Sequence, residues 1–166
     1  MQPKRPALHG RVFALVMSIL FLAAPFPAHA NDQIMLTIDS PATEPMTFDL
    51  AALDALSQAV IETSNEFVTG TAEFSGPLAR DLVTEAGGDE DSTILLTAIN
   101  EYQISVPASD FFNYDVVLAT RMNGTVLSRR DKGPIWLMYP ISDHSELQDS
   151  SVNSKLIWQL VKMEVR

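Results

Sequence analysis

The chain has 166 residues, no cysteine, and 21 acidic against 11 basic residues, which gives a formal net charge of −10. This acidity excludes a nucleic-acid-binding function, because such proteins present a basic face to phosphates. The lack of cysteine excludes disulfides and thiolate metal sites, so an exported form has to be stable through its core alone.

Residues 1–30 have the pattern of a secretory signal peptide. A basic start precedes an apolar run over residues 12–24, and Ala28-His29-Ala30 is a small-residue cleavage pattern. The run is shorter than the roughly 20 residues that a membrane span needs, and no lipid-accepting cysteine follows it. We therefore predict cleavage after Ala30 and a periplasmic protein that is neither lipidated nor inserted in the membrane.

Removal of this segment leaves eight cations against 21 carboxylates in residues 31–166. That length is sufficient for one hydrophobic core, and we predict a single domain. The segment contains no twin-arginine pair, which indicates export of an unfolded chain rather than of a protein already folded around a cofactor.

Short strands and helices are predicted in the first half of this domain. Residues 33–38 are typical of a strand and Asp49 of the N-cap of a short helix. Residues 59–68 are typical of an extended segment, either continuous or interrupted at Asn65-Glu66. Pro77 at a first helical position predicts a second helix that ends at Gly87.

Strands dominate the second half. Residues 93–99 and 102–106 predict a hairpin with one solvated face, residues 143–153 a polar loop, and residues 156–165 a final strand. The strands outnumber the helices, which lie between them irregularly. The fold class is therefore α+β, mainly β.

The stretch from residue 117 to residue 140 carries the clearest pattern. Asn123-Gly124 supplies the pair of positive φ angles that a type I′ hairpin turn requires, between two apolar runs. The segment Ser128–Pro134, called the basic loop below, is too charged for a strand, and residues 135–139 predict a buried strand. The loop is therefore held between buried strands.

The basic loop reverses the sign of the charge on an acidic body, which favours an anion-binding site. The alternative is a solvated loop whose cations pair with nearby carboxylates such as Asp131. Trp136 and Tyr139 are candidate walls for an aromatic or sugar ring, or else core residues of the strand. The candidate ligand-binding residues are Arg121, Arg129, Arg130, Asp131, Lys132, Trp136 and Tyr139.

Catalytic motifs are scarce. His144 is the last histidine once residues 1–30 are removed, so a metal site built from imidazole is not expected. His144 fits a polar surface loop or a general base. The acidic stretch over residues 85–91 fits a solvated loop or a rival interaction surface.

The order of the segments resembles that of the sulfite oxidase-type molybdopterin-binding domain. The resemblance rests on the segments FSGPLARDLV, INEYQISVPASDF, VLATRMNGTVLSRRDKGPIWLMYP and WQLVKMEV. In that family a G-x-L-x-x-L helix, a strand ending in Pro, an MNG hairpin, a G-P loop and a closing W-x-x-x-I-x-V strand follow in this order. The resemblance implies that fold, with mixed sheets and a few short helices, over residues 48–165.

The same resemblance implies a molybdenum cofactor held by a cysteine, and this chain departs from that pattern. Thr63, Ser64 and Asn65 occupy the segment where the thiolate is expected. The basic loop lacks both the histidine and the later arginine that the enzymes have in the matching loop.

These departures and the missing twin-arginine pair favour a non-catalytic ligand-binding or sensory-accessory module without a cofactor. Its predicted partner is a small anionic ligand or a periplasmic or envelope signalling protein. The alternative is a molybdopterin-dependent oxidoreductase of the sulfite oxidase type with a non-cysteine ligand, for which Ser64 is the candidate.

Overall fold

Short strands connected by turns and brief helices make up residues 33–166, the part of the chain that the computed structural model describes. The predicted signal peptide lies outside these residues, which fall in one compact unit, Asn31–Arg166. The strands are β1 Leu36–Asp39, β2 Met46–Phe48, β3 Gln58–Thr63, β4 Ala72–Pro77, β5 Thr93–Ala98, β6 Gln103–Pro107, β7 Val117–Ala119, β8 Arg121–Met122, β9 Thr125–Val126, β10 Trp136–Met138 and β11 Leu160–Val165. The helices are α1 Leu50–Ala55, α2 Ala79–Glu85, α3 Ser109–Asn113, a 3-10 turn Ser145–Leu147 and α4 Ser150–Asn153.

The largest sheet has five strands in the order β2-β1-β11-β5-β6. The last strand, β11, lies between β1, to which it is parallel, and β5, to which it is antiparallel. The sheet is therefore mixed, and its centre is built from the two ends of the domain. The predicted hairpin of β5 and β6 is confirmed.

Two smaller antiparallel sheets complete the fold. One has the order β3-β4-β8-β9, and the other pairs β10 with β7. The apolar run that starts at Val117 therefore serves two sheets, and it changes sheet at the buried Thr120, whose N–H bonds the Ser75 carbonyl at 3.0 Å. The turn that follows has φ of 49° at Asn123 and 74° at Gly124, as predicted for type I′.

The core lies where these sheets and helices meet. Trp136, Tyr139, Phe74 and Phe111 are the largest fully buried side chains. Close packing there requires Gly76, because an added Cβ would lie 2.1 Å from the Leu118 carbonyl oxygen of the neighbouring strand. The α+β, mainly β class with mixed sheets is confirmed.

Three local predictions need correction, and one is confirmed. The Asp49 side chain caps α1 by accepting from Ala52 N–H at 2.7 Å, as predicted. Pro77 ends β4 instead of starting α2, because its segment pairs with β3 over its whole length. Residues 143–153 contain a 3-10 turn and α4, which Asp149 caps through Ser151 N–H. Residues 156–159 precede β11 instead of belonging to it.

Among the described residues, no helix is both long and apolar enough to cross a membrane.

Candidate functional site

The backbone of the basic loop is fixed by hydrogen bonds. The Ser128 carbonyl accepts from Asp131 N–H at 3.0 Å and from Gly133 N–H at 2.8 Å. Gln159, just before β11, bonds the loop from the other side. Its N–H donates to the Lys132 carbonyl at 2.9 Å, and its side-chain amide donates to the carbonyls of Arg129 and Asp131 at 2.9 and 3.2 Å. The loop is therefore ordered although it is charged.

The cations of the basic loop differ from the other cations in residues 33–166. Arg80, Arg121, Lys155, Lys162 and Arg166 each lie in a salt bridge with a carboxylate. Within the same residues, no such salt bridge forms at Arg129, Arg130 or Lys132. The alternative in which the loop cations pair with Asp131 is therefore not observed in residues 33–166.

Arg129, Arg130 and Asp131 are exposed. The Arg129 guanidinium donates one hydrogen bond, to the Ile34 carbonyl at 3.1 Å. A guanidinium has further N–H donors besides the one used in this bond. Arg129 also lines a small depression of about 200 Å³ together with Pro134 and Leu127. These two arginines can be reached by a solute, and their binding role stays a prediction.

Lys132 has a different environment from the two arginines. Its Nζ lies 3.7 Å from the ring centroid of Trp158, 5.1 Å from that of Trp136 and 5.5 Å from that of Phe67. These are cation–π contacts, which hold the ammonium against the aromatic group. Lys132 therefore serves mainly to pack the loop onto Trp158.

Arg121 is not available to the basic loop. Its guanidinium forms two hydrogen bonds to the Asp54 carboxylate, at 2.5 and 2.7 Å. This hydrogen bonding lowers the pKa of Asp54 and raises that of Arg121. Its pairing with the carboxylate of α1 does not support a contribution of Arg121 to an anion site, which stays a prediction.

Trp136 and Tyr139 are core residues, and neither forms an accessible wall. Both are fully buried. The Trp136 indole N–H donates to the Leu156 carbonyl at 3.1 Å, and the Tyr139 hydroxyl donates to Asp110 Oδ2 at 3.0 Å, which Lys155 also contacts at 2.7 Å. Burial, together with Asp110, raises the pKa of Tyr139 well above its ordinary value. Of the two possibilities left by the sequence, the core role is correct.

The segment where the resemblance implies a thiolate holds a cluster of hydroxyl groups. Thr63, at the end of β3, is fully buried and accepts hydrogen bonds from Ser142 N–H at 3.2 Å and Ser142 Oγ at 3.4 Å. Ser64 N–H donates to Ser142 Oγ at 3.0 Å. We call Thr63, Ser64 and Ser142 the hydroxyl cluster.

This cluster does not fit the molybdenum cofactor. Its donors are neutral hydroxyls that already bond one another, and none of its hydrogen bonds involves a Lys or Arg side chain that could hold an anionic cofactor. A neutral hydroxyl is a poor substitute for the thiolate that binds soft metals. Within residues 33–166, no group of three or more His, Cys, Asp or Glu side chains could hold a metal ion.

His144 lies in a small polar group at the surface. Its Nδ1 is 3.6 Å from Glu146 Oε1, which also accepts a 3.4 Å hydrogen bond from the Tyr114 hydroxyl. The pKa of Glu146 is lowered, mainly by a hydrogen bond from the backbone of Glu146 itself and further by the nearby His144. His144 does not line the depression beside Arg129, and it does not line the cavity described next.

Sequence reasoning did not find a cavity with a volume of about 330 Å³. It lies between the β5–β6 turn, the end of α4 and the segment before β11. Its polar and aromatic lining consists of Phe67, Asn100, Tyr102, Asn153, Ser154 and Trp158. These residues come from segments that are far apart in the sequence, so no local pattern indicates the cavity.

Comparisons with known proteins agree with this fold. A model of the family described as the oxidoreductase molybdopterin binding domain matches residues 23–142. Among solved structures, the sulfane dehydrogenase SoxCD from Paracoccus pantotrophus is similar with a TM-score of 0.60 and 15% sequence identity, over 82% of this chain and 39% of that chain. The chain thus spans well under half the length of that structure. No curated protein sequence matches it.

The family model covers most of the chain, and the similarity to SoxCD shows the same fold. The predicted resemblance is therefore confirmed, including the absence of any cysteine. This chain belongs to the oxidoreductase molybdopterin-binding-domain family of sulfite oxidase type.

Proposed function

We propose that this family member is a non-catalytic binding module that recognises an anionic ligand through the basic loop. The observation that carries the proposal is the charge pairing: in residues 33–166, the cations without a carboxylate partner are those of this loop, whereas the other five are paired. Arg129 and Arg130 are both exposed. Their planar guanidinium groups suit a carboxylate or a phosphate.

The fixed backbone of the loop supports this role. Hydrogen bonds from Gln159 and to the Ser128 carbonyl hold the loop before any ligand arrives. Less conformational entropy is then lost on binding. The excess of carboxylates elsewhere repels anions from the rest of the surface, so the loop is the place where an anion is attracted.

The absence of catalysis is the second part of the proposal. It rests on the hydroxyl cluster, where Thr63 is buried and hydrogen-bonded in place of a thiolate. The alternative remains a molybdopterin-dependent oxidoreductase in which Ser64 replaces the cysteine. The proposed location is the periplasm after removal of residues 1–30, and intact-mass analysis of the exported protein gives the cleavage site.

The binding test compares two double variants of equal charge. Arg129→Ala/Arg130→Ala removes two cations from the loop, and Arg80→Ala/Arg166→Ala removes two cations that already have carboxylate partners. Calorimetric titration uses inorganic phosphate, citrate and adenosine monophosphate as probes. We expect the loop variant to bind on the order of tenfold or more weakly, and the control variant to bind like the wild type. If binding weakened equally in both variants, the loss would be due to net charge alone, and a binding site at the loop would be refuted.

A macromolecular partner is tested separately. Cross-linking and pull-down from an envelope fraction, with the same two variants, asks whether the loop binds a signalling or other envelope protein. Contacts of this type are expected to weaken with salt, because exposed charges are screened beyond about 8 Å at physiological ionic strength. A partner recovered equally by all variants would place the interface away from the loop.

Metal analysis tests the absence of the cofactor. Protein purified from a periplasmic extract is expected to contain no stoichiometric molybdenum and to release no fluorescent pterin. About one molybdenum per chain, lost in Ser64→Ala, would establish the oxidoreductase alternative instead.

A further inference from the structure

The cavity beside Trp158 is a second candidate site, and it does not depend on the role of the basic loop. Its volume of about 330 Å³ lies at the lower end of the range typical of small-molecule sites. It presents three aromatic side chains, those of Phe67, Tyr102 and Trp158. None of the residues that line it is charged.

The walls of the cavity are held in place by contacts with one another and with neighbouring residues. Phe67 meets Trp158 edge to face, with ring centroids 5.0 Å apart. The Phe67 N–H donates to the Asn65 side-chain oxygen at 2.8 Å. The two sides of the cavity are joined by a 2.9 Å hydrogen bond from Ile99 N–H to the Gln159 carbonyl. An aromatic group positioned in this way is ready for a ligand without rearrangement.

Two residues next to the cavity have unusual backbone conformations. Glu101, between Asn100 and Tyr102, has φ of 66°, and Gln159, after Trp158, has φ of 55°. Residues other than glycine adopt positive φ at a cost, and such positions are frequent at functional sites. Here each of them is next in sequence to an aromatic residue that lines the cavity, Tyr102 or Trp158.

The polar groups at the cavity define the edge of a ligand. Asn100 uses its side-chain oxygen to accept from Tyr102 N–H at 3.1 Å, which leaves its NH₂ group as a donor. Asn153 brings a second amide, which can both donate and accept. Amides of this kind match a ring that carries amide-like donors and acceptors on its edge.

Lys132 restricts the charge of the ligand. Its ammonium already lies 3.7 Å from the Trp158 ring centroid, so the cation–π capacity of this ring is used within the protein. A second cation near the same ring would be repelled. The cavity therefore selects against quaternary ammonium ligands, which aromatic sites otherwise attract.

We infer that the cavity binds a small, neutral, planar heteroaromatic compound, which stacks against Trp158 and Tyr102 and hydrogen-bonds to Asn100 and Asn153. Stacking of a base-like ring on aromatic side chains tolerates many ring types, whereas the two amides select for a polar edge. The chemical class is that of nucleobases and pyridine carboxamides.

The test uses the full chain expressed with its own N-terminal segment and purified from the periplasm. Amide chemical shifts and Trp fluorescence are followed during titration with adenine, uracil and nicotinamide as neutral heterocycles. Glucose is the neutral ring without aromatic character, and choline is the quaternary cation. We expect one or more heterocycles to shift signals of residues 98–102 and 153–158, and glucose and choline to have no effect.

Matched variants locate the site. Tyr102→Ala removes an exposed ring at the cavity, and Asn153→Ala removes one amide. Val60→Ala is the control, because Val60 is 60% exposed on β3, outside the cavity. We expect Tyr102→Ala to weaken binding at least about fivefold and Val60→Ala to leave it unchanged. Trp158→Phe, which keeps a ring in the aromatic group, is expected to weaken binding less than Tyr102→Ala combined with Asn153→Ala.

Three results would overturn the inference. The first is the absence of shifts with every heterocycle at millimolar concentration. The second is a stronger response to glucose or choline than to any heterocycle, which would assign the cavity to another class of ligand. The third is equal binding by Tyr102→Ala and the wild type.

Discussion

The basic loop and the hydroxyl cluster are two polar regions with opposite patterns of hydrogen bonding. In the hydroxyl cluster the side chains of Thr63, Ser64 and Ser142 bond one another and the adjacent backbone. In the basic loop the backbone is bonded, while the charged ends of Arg129 and Arg130 have no carboxylate partner within residues 33–166. The comparison teaches that the proposed binding site lies where the backbone is fixed and the charged side chains are exposed.

Gly133→Ala is the strongest way to break this comparison, because it disturbs the loop without changing its charge. An added Cβ at the buried Gly133 would lie 2.3 Å from the Leu127 carbonyl oxygen. The backbone has to move, and we expect a loss of about 3 kcal/mol in the free energy of unfolding, measured by urea denaturation. Phosphate binding is expected to fall although all three cations remain.

The matched control for this variant is Asp131→Ala, at an exposed neighbouring position. It is expected to change the free energy of unfolding by less than about 0.5 kcal/mol. Normal phosphate binding by Gly133→Ala would show that the loop geometry is not required.

Thr63→Val tests the hydroxyl cluster at nearly constant volume. It removes the oxygen that accepts from Ser142 N–H at 3.2 Å, and the buried valine cannot replace it. We expect a loss of about 1–2 kcal/mol of stability with no change in anion binding. The same substitution at the exposed Thr125 is the control, with an expected change below about 0.5 kcal/mol. An unaltered stability of Thr63→Val would mean that water satisfies the Ser142 group.

Lys132→Ala separates the two roles of the basic loop. It removes the cation–π contact with Trp158, and we expect a loss of about 1 kcal/mol of stability and a change in Trp fluorescence. The loss of phosphate affinity is expected to be smaller than in Arg129→Ala/Arg130→Ala. Lys132→Arg, which keeps a cation on the ring, should restore the fluorescence. If Lys132→Ala abolished phosphate binding and left stability and Trp fluorescence unchanged, the Lys132 ammonium would belong to the anion site.

The Arg121–Asp54 pair gives the smallest expected effect, a dependence of stability on pH. The hydrogen bonds from Arg121 lower the pKa of Asp54 below the ordinary value of 3.8 in the folded state. The stabilisation is therefore complete above that value and is lost as the pH falls through the lower folded pKa. Because both side chains are about one third exposed, we expect less than about 1 kcal/mol. Denaturation of Asp54→Asn between pH 5 and pH 2 is expected to lack this component, and the same pH slope as the wild type would contradict it.

Local sequence patterns predicted much of the fold. Asn123-Gly124 specifies its turn because few other residues adopt two positive φ angles, and Asp49 caps α1 through a contact three residues away. Pro77 was misassigned because the same residue can begin a helix or end a strand. The pairing of its segment with β3, a long-range contact, decides between them.

The candidate site was predictable only in part, for the same reason. The concentration of cations in the basic loop is visible in the sequence. That Lys132 faces Trp158, that Arg121 meets Asp54 and that Tyr139 is buried against Asp110 depends on contacts between distant segments. The cavity beside Trp158 is assembled from three separate stretches, at Phe67, residues 98–102 and residues 153–158, so no local pattern could indicate it.

The position of β11 has a consequence for how the protein folds. This strand follows every other described strand along the chain, yet it lies between β1 and β5 at the centre of the five-stranded sheet. Until it pairs, β1 has only β2 as a neighbour, and the apolar edge of β5 has no cover. The five-stranded sheet therefore cannot be completed until β11 pairs with both β1 and β5, and long-range pairing of this kind is slower than the formation of a local hairpin such as β5–β6.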